Sequence, residues 1–224
     1  MPKKTRPRNL PAGRSAQPSP RKGQRYPPEP LTEEEMMRLL SQFSREGSAG
    51  LRDRALLAMQ WRAGLRIAEA LALAPKDVDA KTGDVRVLEG KGRKTRVTAL
   101  DELGLSILRE WLARRAQLGL TARHPLFCTI SEPGRGAGLH PGNWNQRLKV
   151  AARAAGIGKR VSSHTLRHSA ATELDAAGYP LTDVQLFLGH TSPVTTAVYL
   201  TQLNPHRLLE RLRSRRPPQP QAGA

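Results

Sequence analysis

A mainly α-helical domain with one small antiparallel β-sheet, an α+β fold, is predicted by three features of this 224-residue chain. Apolar residues recur at helical spacing through most of the segment 31–213. The period changes once, between about residues 80 and 100, to the alternation expected of strands. Capping and stop residues fall at the ends of the helical runs, where a folded domain needs them.

The elements follow in order. Thr32, with Glu35 three residues on, forms a capping box, and Met36, Leu39, Leu40 and Phe43 continue it at helical spacing. A second helix runs from about Leu51 to Ala63, with Gly64 as its stop. Ile67 to Leu73 gives a short helix ended by Pro75. Val85, Val87 and Val97 then lie in two strands around the turn Gly90-Lys91-Gly92-Arg93-Lys94, which reads as a β-hairpin. Further helical patterns cover roughly 101–118, 142–155, 164–177, 181–188, 193–200 and 204–213, and Gly134, Gly136 and Gly138 mark a loop. No internal repeat is visible.

Charge separates the ends from the middle. The whole chain has 37 Lys and Arg against 19 Asp and Glu, a formal net of +18. Residues 1–30 hold eight Lys or Arg against Glu29, a net of +7, and residues 207–224 hold five Arg against Glu210, a net of +4; the middle therefore keeps 18 − 7 − 4 = +7. Pro2, Pro7, Pro11, Pro18, Pro20, Pro27, Pro28 and Pro30 break any helix in the first segment, which has little apolar surface to bury. The expected organisation is a disordered basic, Pro-rich arm over 1–30, a folded domain over 31–213 and a disordered tail over 214–224. A chain this basic is drawn to polyanions, so nucleic acid or an anionic surface is the expected partner. The opening residues have no apolar segment behind them and no apolar run is long enough to cross a bilayer, so a soluble, cytoplasmic protein is expected. The single cysteine, Cys128, excludes an internal disulfide framework.

Several chemistries lack their residues. There is no Cys/His pattern for zinc, and the carboxylates are scattered rather than grouped for a two-metal site. Gly90-Lys91-Gly92 lacks the spacing of a phosphate loop and lies in a hairpin. His164 and His168, four apart on one helix, have no third ligand in sight. What remains is cationic: Arg66 in GLRIAEAL, Lys91 in the hairpin turn, His164 and Arg167 in SHTLRHSAATEL, and His190 in LGHTSPVTTAVYL, with Tyr199 nine residues beyond His190. Two arginines, a lysine and two histidines can surround a phosphate with donors, guanidinium forks matching its oxygens in pairs. A tyrosine at such a site is a candidate nucleophile.

At these residues the sequence resembles the catalytic domain of the tyrosine recombinases, the phage integrase and Xer family, from about Leu31 to Leu208. The arginine box is Gly64-Leu65-Arg66-Ile67-Ala68-Glu69, and the hairpin lysine with its basic strand is Gly90-Lys91-Gly92-Arg93-Lys94-Thr95-Arg96. The pattern H-x-L-R-H-x-x-A-T is matched by His164 to Thr172, and L-G-H with a tyrosine nine residues on by Leu188-Gly189-His190 and Tyr199. The resemblance implies that family's catalytic fold and a site-specific DNA strand exchange needing no metal, ATP or other cofactor. In it Tyr199 attacks a backbone phosphorus, leaving a 3′-phosphotyrosyl bond and a free 5′-hydroxyl. His164 is then the base, Lys91 the general acid for the leaving oxygen, and Arg66 and Arg167 the phosphate clamp. His190 donates to the same phosphate and Glu69 supports the site. Lys94 lies close to Lys91 in the same turn.

The resemblance also implies a homo-oligomer on DNA, a tetramer in the family. Most relatives carry an N-terminal core-binding domain that closes a clamp on the duplex; this chain is similar to the short fimbrial phase-variation recombinases that lack it. The basic arm is expected to replace part of that clamp, with an accessory DNA-binding protein as another source. Leu203, Leu208, Leu209 and Leu212 form an apolar stripe expected to dock on a neighbouring protomer or in cis. Integration, excision, inversion and dimer resolution by a mobile element or its host would all use these residues. Competing readings are an inactive DNA-binding remnant, a relaxing activity like that of a type IB topoisomerase, and an architectural DNA-coating protein. His168, Trp61, Trp111, Trp144 and Cys128 are read as core residues, and Tyr26 and Tyr179 as without a role.

Overall fold

In the computed structural model the described residues are 29–88 and 95–189. Residues 1–28 of the expected arm, the hairpin turn with Lys91, the tail and the two last helical patterns, with His190 and Tyr199, lie outside them. So does Tyr26. The arm's last two residues, Glu29 and Pro30, are described and meet Lys159 Nζ at 3.2 and 3.1 Å.

Seven helices and a two-stranded sheet make up the described part. Helix α1 spans Glu33–Ser41, and its capping box is formed as expected: Glu35 N–H donates to Thr32 Oγ1 at 3.2 Å while Thr32 N–H donates to Glu35 Oε2 at 2.9 Å. Helix α2, Ser48–Trp61, is the centre of the domain. From Leu51 to Trp61 every residue except Arg54 is buried. A helix buried nearly all round has to be covered on all sides, and α2 packs against both α4 (Glu102–Gln117) and α6 (Ser163–Ala176). Its buried polar pair is satisfied locally. Arg52 binds Asp53 through Nε and Nη2 at 2.9 and 2.8 Å and donates to Cys128 O at 3.1 Å, while Arg147 of α5 (Pro141–Ala154) holds the other Asp53 oxygen at 2.7 Å.

The three tryptophans lie in the core, as their sequence contexts predict, and each indole N–H finds an acceptor. Trp111 donates to Leu126 O at 3.0 Å, Trp61 to Glu173 Oε1 at 2.7 Å, and Trp144 to Gln60 Oε1. Cys128 is buried, and burial pushes its thiol pKa up.

Helix α3, Ile67–Ala72, is followed by a 3₁₀ turn at Pro75–Asp77 that the apolar period did not indicate. Strand β1 (Asp84–Val87) pairs antiparallel with β2 (Arg96–Ala99), Val85 opposite Thr98 and Val87 opposite Arg96. Val85 and Val87 face the core. Val97 lies on β2 as expected but faces solvent, because register and alternation put Thr98 on the buried side. Thr98 Oγ1 donates to Ala63 O at 3.1 Å and ties the sheet to the end of α2.

Between α4 and α5 the chain makes the expected glycine-containing loop, with a bridge between Cys128 and Gly138. Arg115 organises its first half by donating to the carbonyls of Leu120, Thr121, His124 and Pro125 at 2.8 to 3.2 Å. Helix α7, Leu181–Leu188, ends at Gly189 in the left-handed conformation, φ 60°. Among the described residues no helix is long and apolar enough to cross a membrane.

Gly64 carries a constraint of its own. Its φ is +64°, and a Cβ there would come within 2.4 Å of the Phe187 ring. Left-handed backbone alone costs a residue with a Cβ about 1–2 kcal/mol. Gly64→Ala should therefore destabilise the domain by about 2 kcal/mol or more in urea unfolding. A loss under about 0.5 kcal/mol, the usual scatter of surface changes, would show that the turn after α2 is not constrained in this way.

Candidate active site

The turn that Gly64 permits delivers the first cation. Leu65 N–H returns to Met59 O at 3.1 Å, and the chain enters α3 with Arg66 as its N-cap. Glu69, in the first turn of α3, reaches back: its Oε2 accepts Arg66 N–H at 2.7 Å and its Oε1 accepts Arg66 Nη1 at 2.7 Å. This is the acidic half of a capping box.

The same carboxylate receives a second arginine from β2. Arg96 Nη1 donates to Oε1 at 3.0 Å and Arg96 Nη2 to Oε2 at 2.8 Å, a two-point fork. A third guanidinium closes in from α6, where Arg167 Nη1 lies 4.0 Å from Oε2. Arg167 is itself buried and donates to the carbonyls of Gly64 and Leu188. Those two bonds lock the end of α2 and the end of α7 to one side chain.

Burial would raise the Glu69 pKa, but the hydrogen bonds of Arg96 and of the Arg66 amide and guanidinium outweigh it and hold the carboxyl at about 2. Three guanidiniums around one carboxylate leave a local charge of 3 − 1 = +2. The Arg66 side chain is 40% exposed, against 12% for Arg96 and 7% for Arg167, so Arg66 is the cation most open to a ligand.

Histidines complete the described cluster. His164 and Arg167, three apart in the first turns of α6, share a face of the helix. The His164 pKa is lowered by burial and then by the charges of Arg167 and Arg66, which keeps the ring neutral and able to accept a proton at neutral pH. The residue nevertheless remains exposed. His168 stacks behind it with ring centroids 6.4 Å apart and is buried, as its core assignment predicts. Burial and the neighbouring His164 bring its pKa to about 4, so it too is uncharged. Among the described residues no group of three His, Cys, Asp or Glu is placed to hold a metal ion.

Four sequence-predicted residues are thus brought together: Arg66, Glu69, His164 and Arg167. Lys91, His190 and Tyr199 lie outside the described residues. Arg96 is the member that motif reasoning left without a role; its only sequence signal was its place in the basic strand after the hairpin lysine. Tyr179 is exposed.

A helical domain with a small antiparallel sheet, presenting paired arginines and a neutral histidine around a structural carboxylate, has the donors to hold a phosphate or a similar oxyanion. The comparisons are more specific: residues 29–206 match the phage integrase family model, and the chain belongs to that family. It is 35% identical over 189 residues to tyrosine recombinase XerD of Ralstonia nicotianae, an alignment that takes in 84% of this chain and 58% of the relative. Among solved structures it is similar to the XerA recombinase, with a TM-score of 0.72 and 30% identity over 86% of this chain and 66% of that one. It is also similar to the XerH site-specific recombinase bound to palindromic difH substrate in a post-cleavage complex, with a TM-score of 0.68 and 30% identity over 84% of this chain and 53% of that one. The mainly helical fold with its small sheet is therefore that of tyrosine recombinases. The chain spans little more than half the length of the XerD relative, 58%.

The carboxylate makes acid stability a test of the cluster. Its folded pKa of about 2 lies below the ordinary 4.5, so its contribution is fully present above about pH 4.5 and is lost as the pH falls toward 2. Wild-type stability should drop across that window by up to about 3 kcal/mol more than that of Glu69→Gln, followed by urea unfolding at stepped pH. Parallel profiles for the two proteins would show that Glu69 is not held by the arginines.

Proposed function

We propose that this chain is the strand-transfer domain of a site-specific DNA recombinase, cutting and rejoining DNA through a 3′-phosphotyrosyl intermediate. The observation that carries the proposal is the pair of motif arginines gathered on Glu69 beside a neutral His164. A phosphodiester brings one negative charge, and its trigonal-bipyramidal transition state a second; the cluster's net of +2 matches that demand.

In this mechanism Arg66 and Arg167 hold the scissile phosphate. His164 accepts the Tyr199 hydroxyl proton as the phenolate oxygen bonds to phosphorus. The 5′-oxygen leaves with a proton from Lys91, so one P–O bond forms as another breaks and a phosphodiester is conserved. The 5′-hydroxyl of an exchanged strand reverses the sequence, returning its proton to Lys91 while tyrosine regains one from His164. His190 donates to a non-bridging oxygen. The bond energy is held in the phosphotyrosyl ester, so the cycle requires no metal or nucleotide step.

Double-stranded DNA is the proposed partner, supported by the net charge of +18 and by the DNA-bound state of the XerH structure. We assign the basic segment 1–30 to phosphate contacts beside the duplex and residues 214–224 to a tail. The stripe Leu203, Leu208, Leu209 and Leu212 is assigned to contact between protomers, on the apolar spacing of those four leucines.

Two experiments test the function. Incubation with a pool of nicked, randomised duplexes, quenching in denaturant and peptide mapping should give a DNA adduct on Tyr199 that disappears in Tyr199→Phe. DNA binding with no adduct would favour the inactive-relative reading, and an adduct on Tyr26 or Tyr179 would displace the assignment. Single-turnover adduct formation should be flat above pH 6.5 and fall on the acid side, below the depressed His164 pKa. His164→Gln should lose that limb and about 100-fold in rate; an unchanged limb would assign it to another group.

A further inference from the structure

We infer that Arg96 is a positioning residue of the strand-transfer site, holding Glu69 so that the Arg66 fork stays available to the DNA phosphate. The inference rests on the proposed function and concerns a residue outside the motif positions assigned to the chemistry.

An ionised carboxylate offers about four acceptor sites. Glu69 spends two on Arg66, one on its backbone N–H and one on Nη1, and the other two on Nη1 and Nη2 of Arg96. Its capacity is filled. Arg66 therefore binds the carboxylate through one guanidinium nitrogen and keeps 40% of its side chain exposed. Without Arg96, the vacated oxygen sites would favour a two-point fork between Glu69 and Arg66, turning the Arg66 donors inward. Arg96 thus competes for the carboxylate, and the result of that competition is an open arginine beside His164.

The surroundings of Arg96 fit a fixed spacer. Its side chain is 12% exposed, and it projects from β2, the strand that follows the hairpin turn bearing Lys91. Its guanidinium also lies against Gly189, where a Cβ would meet Arg96 Cζ, Nε and Nη1 at 2.7 Å. Gly189 is the left-handed cap of α7 and immediately precedes His190. One guanidinium therefore touches the arginine box and the residue before L-G-H's histidine, from the strand of the lysine motif. Lysine could place one ammonium against the carboxylate, but it lacks the planar fork that spans both oxygens.

The test compares wild type, Arg96→Met, Arg96→Lys, Glu69→Gln and the Arg96→Met/Glu69→Gln double variant as full chains. Each is given the nicked duplex pool at saturating protein, with adduct rate, DNA affinity and melting temperature read separately. Expected are a loss of about 100-fold in adduct rate for Arg96→Met with affinity within about threefold of wild type, as for a misplaced catalytic group. Arg96→Lys should recover about tenfold of that loss while melting no higher than Arg96→Met. The double variant should be no slower than the slower single variant, because the two residues act as one unit. Additive losses, a loss in affinity alone, or an Arg96→Met rate within about threefold of wild type would overturn the inference and leave the strand-transfer function standing. A wild-type chain that forms no adduct overturns that function and this inference with it.

Discussion

The carboxylate of Glu69 is the constraint on which the described site depends. It is one negative group in contact with Arg66 and Arg96 and within 4.0 Å of Arg167, and those three cations come from α3, β2 and α6. Positive charges at such separations repel strongly in a partly desolvated setting, and a single shared anion lets them coexist before any ligand arrives. The site is accordingly preorganised: its electrostatic field is set by folding and need not be assembled around substrate. Removing the anion would leave the buried Arg167 and the half-buried Arg96 and Arg66 without their shared counter-charge, which costs more than the pairing contributes when intact.

The rest of the fold supplies the ends of elements to that point. α2 is buried nearly all round, so its C-terminus is positioned by packing from α4 and α6 rather than by its own caps. Gly64 turns the chain there without a Cβ, Arg66 follows two residues later, and the Gly64 carbonyl accepts from Arg167. Arg167 also accepts the task of fixing α7 through Leu188 O, immediately before the segment that carries His190 and Tyr199. The hydrophobic core and the chemistry are therefore coupled at backbone carbonyls, and a change in helix packing is transmitted to guanidinium placement.

Much of this was legible in the sequence, for physical reasons that differ by element. Thr32 and Glu35, the helical spacing after them, and Gly64 are local signals, and each element they predict is present. Arg66, Glu69, His164 and Arg167 stood out because their neighbouring residues match family boxes, and the fold brings all four together. Arg96 was hidden because its role is a pairing across 27 residues of sequence, and a strand arginine among other basic residues carries no local mark. The inward choice of Thr98 over Val97 depended on register with Val85, which hydropathy alone misjudges. The 3₁₀ turn at Pro75–Asp77 was too short for any period to show. Arg115 carries no local mark in the sequence either: it is buried because four loop carbonyls replace water around it, and those partners come from the fold of the loop.

The central claim is that one ionised carboxylate, held by arginines, sets the geometry of the phosphate site. Its most direct measurement is a ¹³C NMR titration of the Glu69 side-chain carboxyl in the intact chain, assigned with Glu69→Gln. A midpoint near pH 2, or unfolding on acidification before Glu69 titrates, is the predicted result. A carboxyl that titrates in the folded protein near the ordinary 4.5 would contradict the account, because it would mean that the guanidiniums do not hold it.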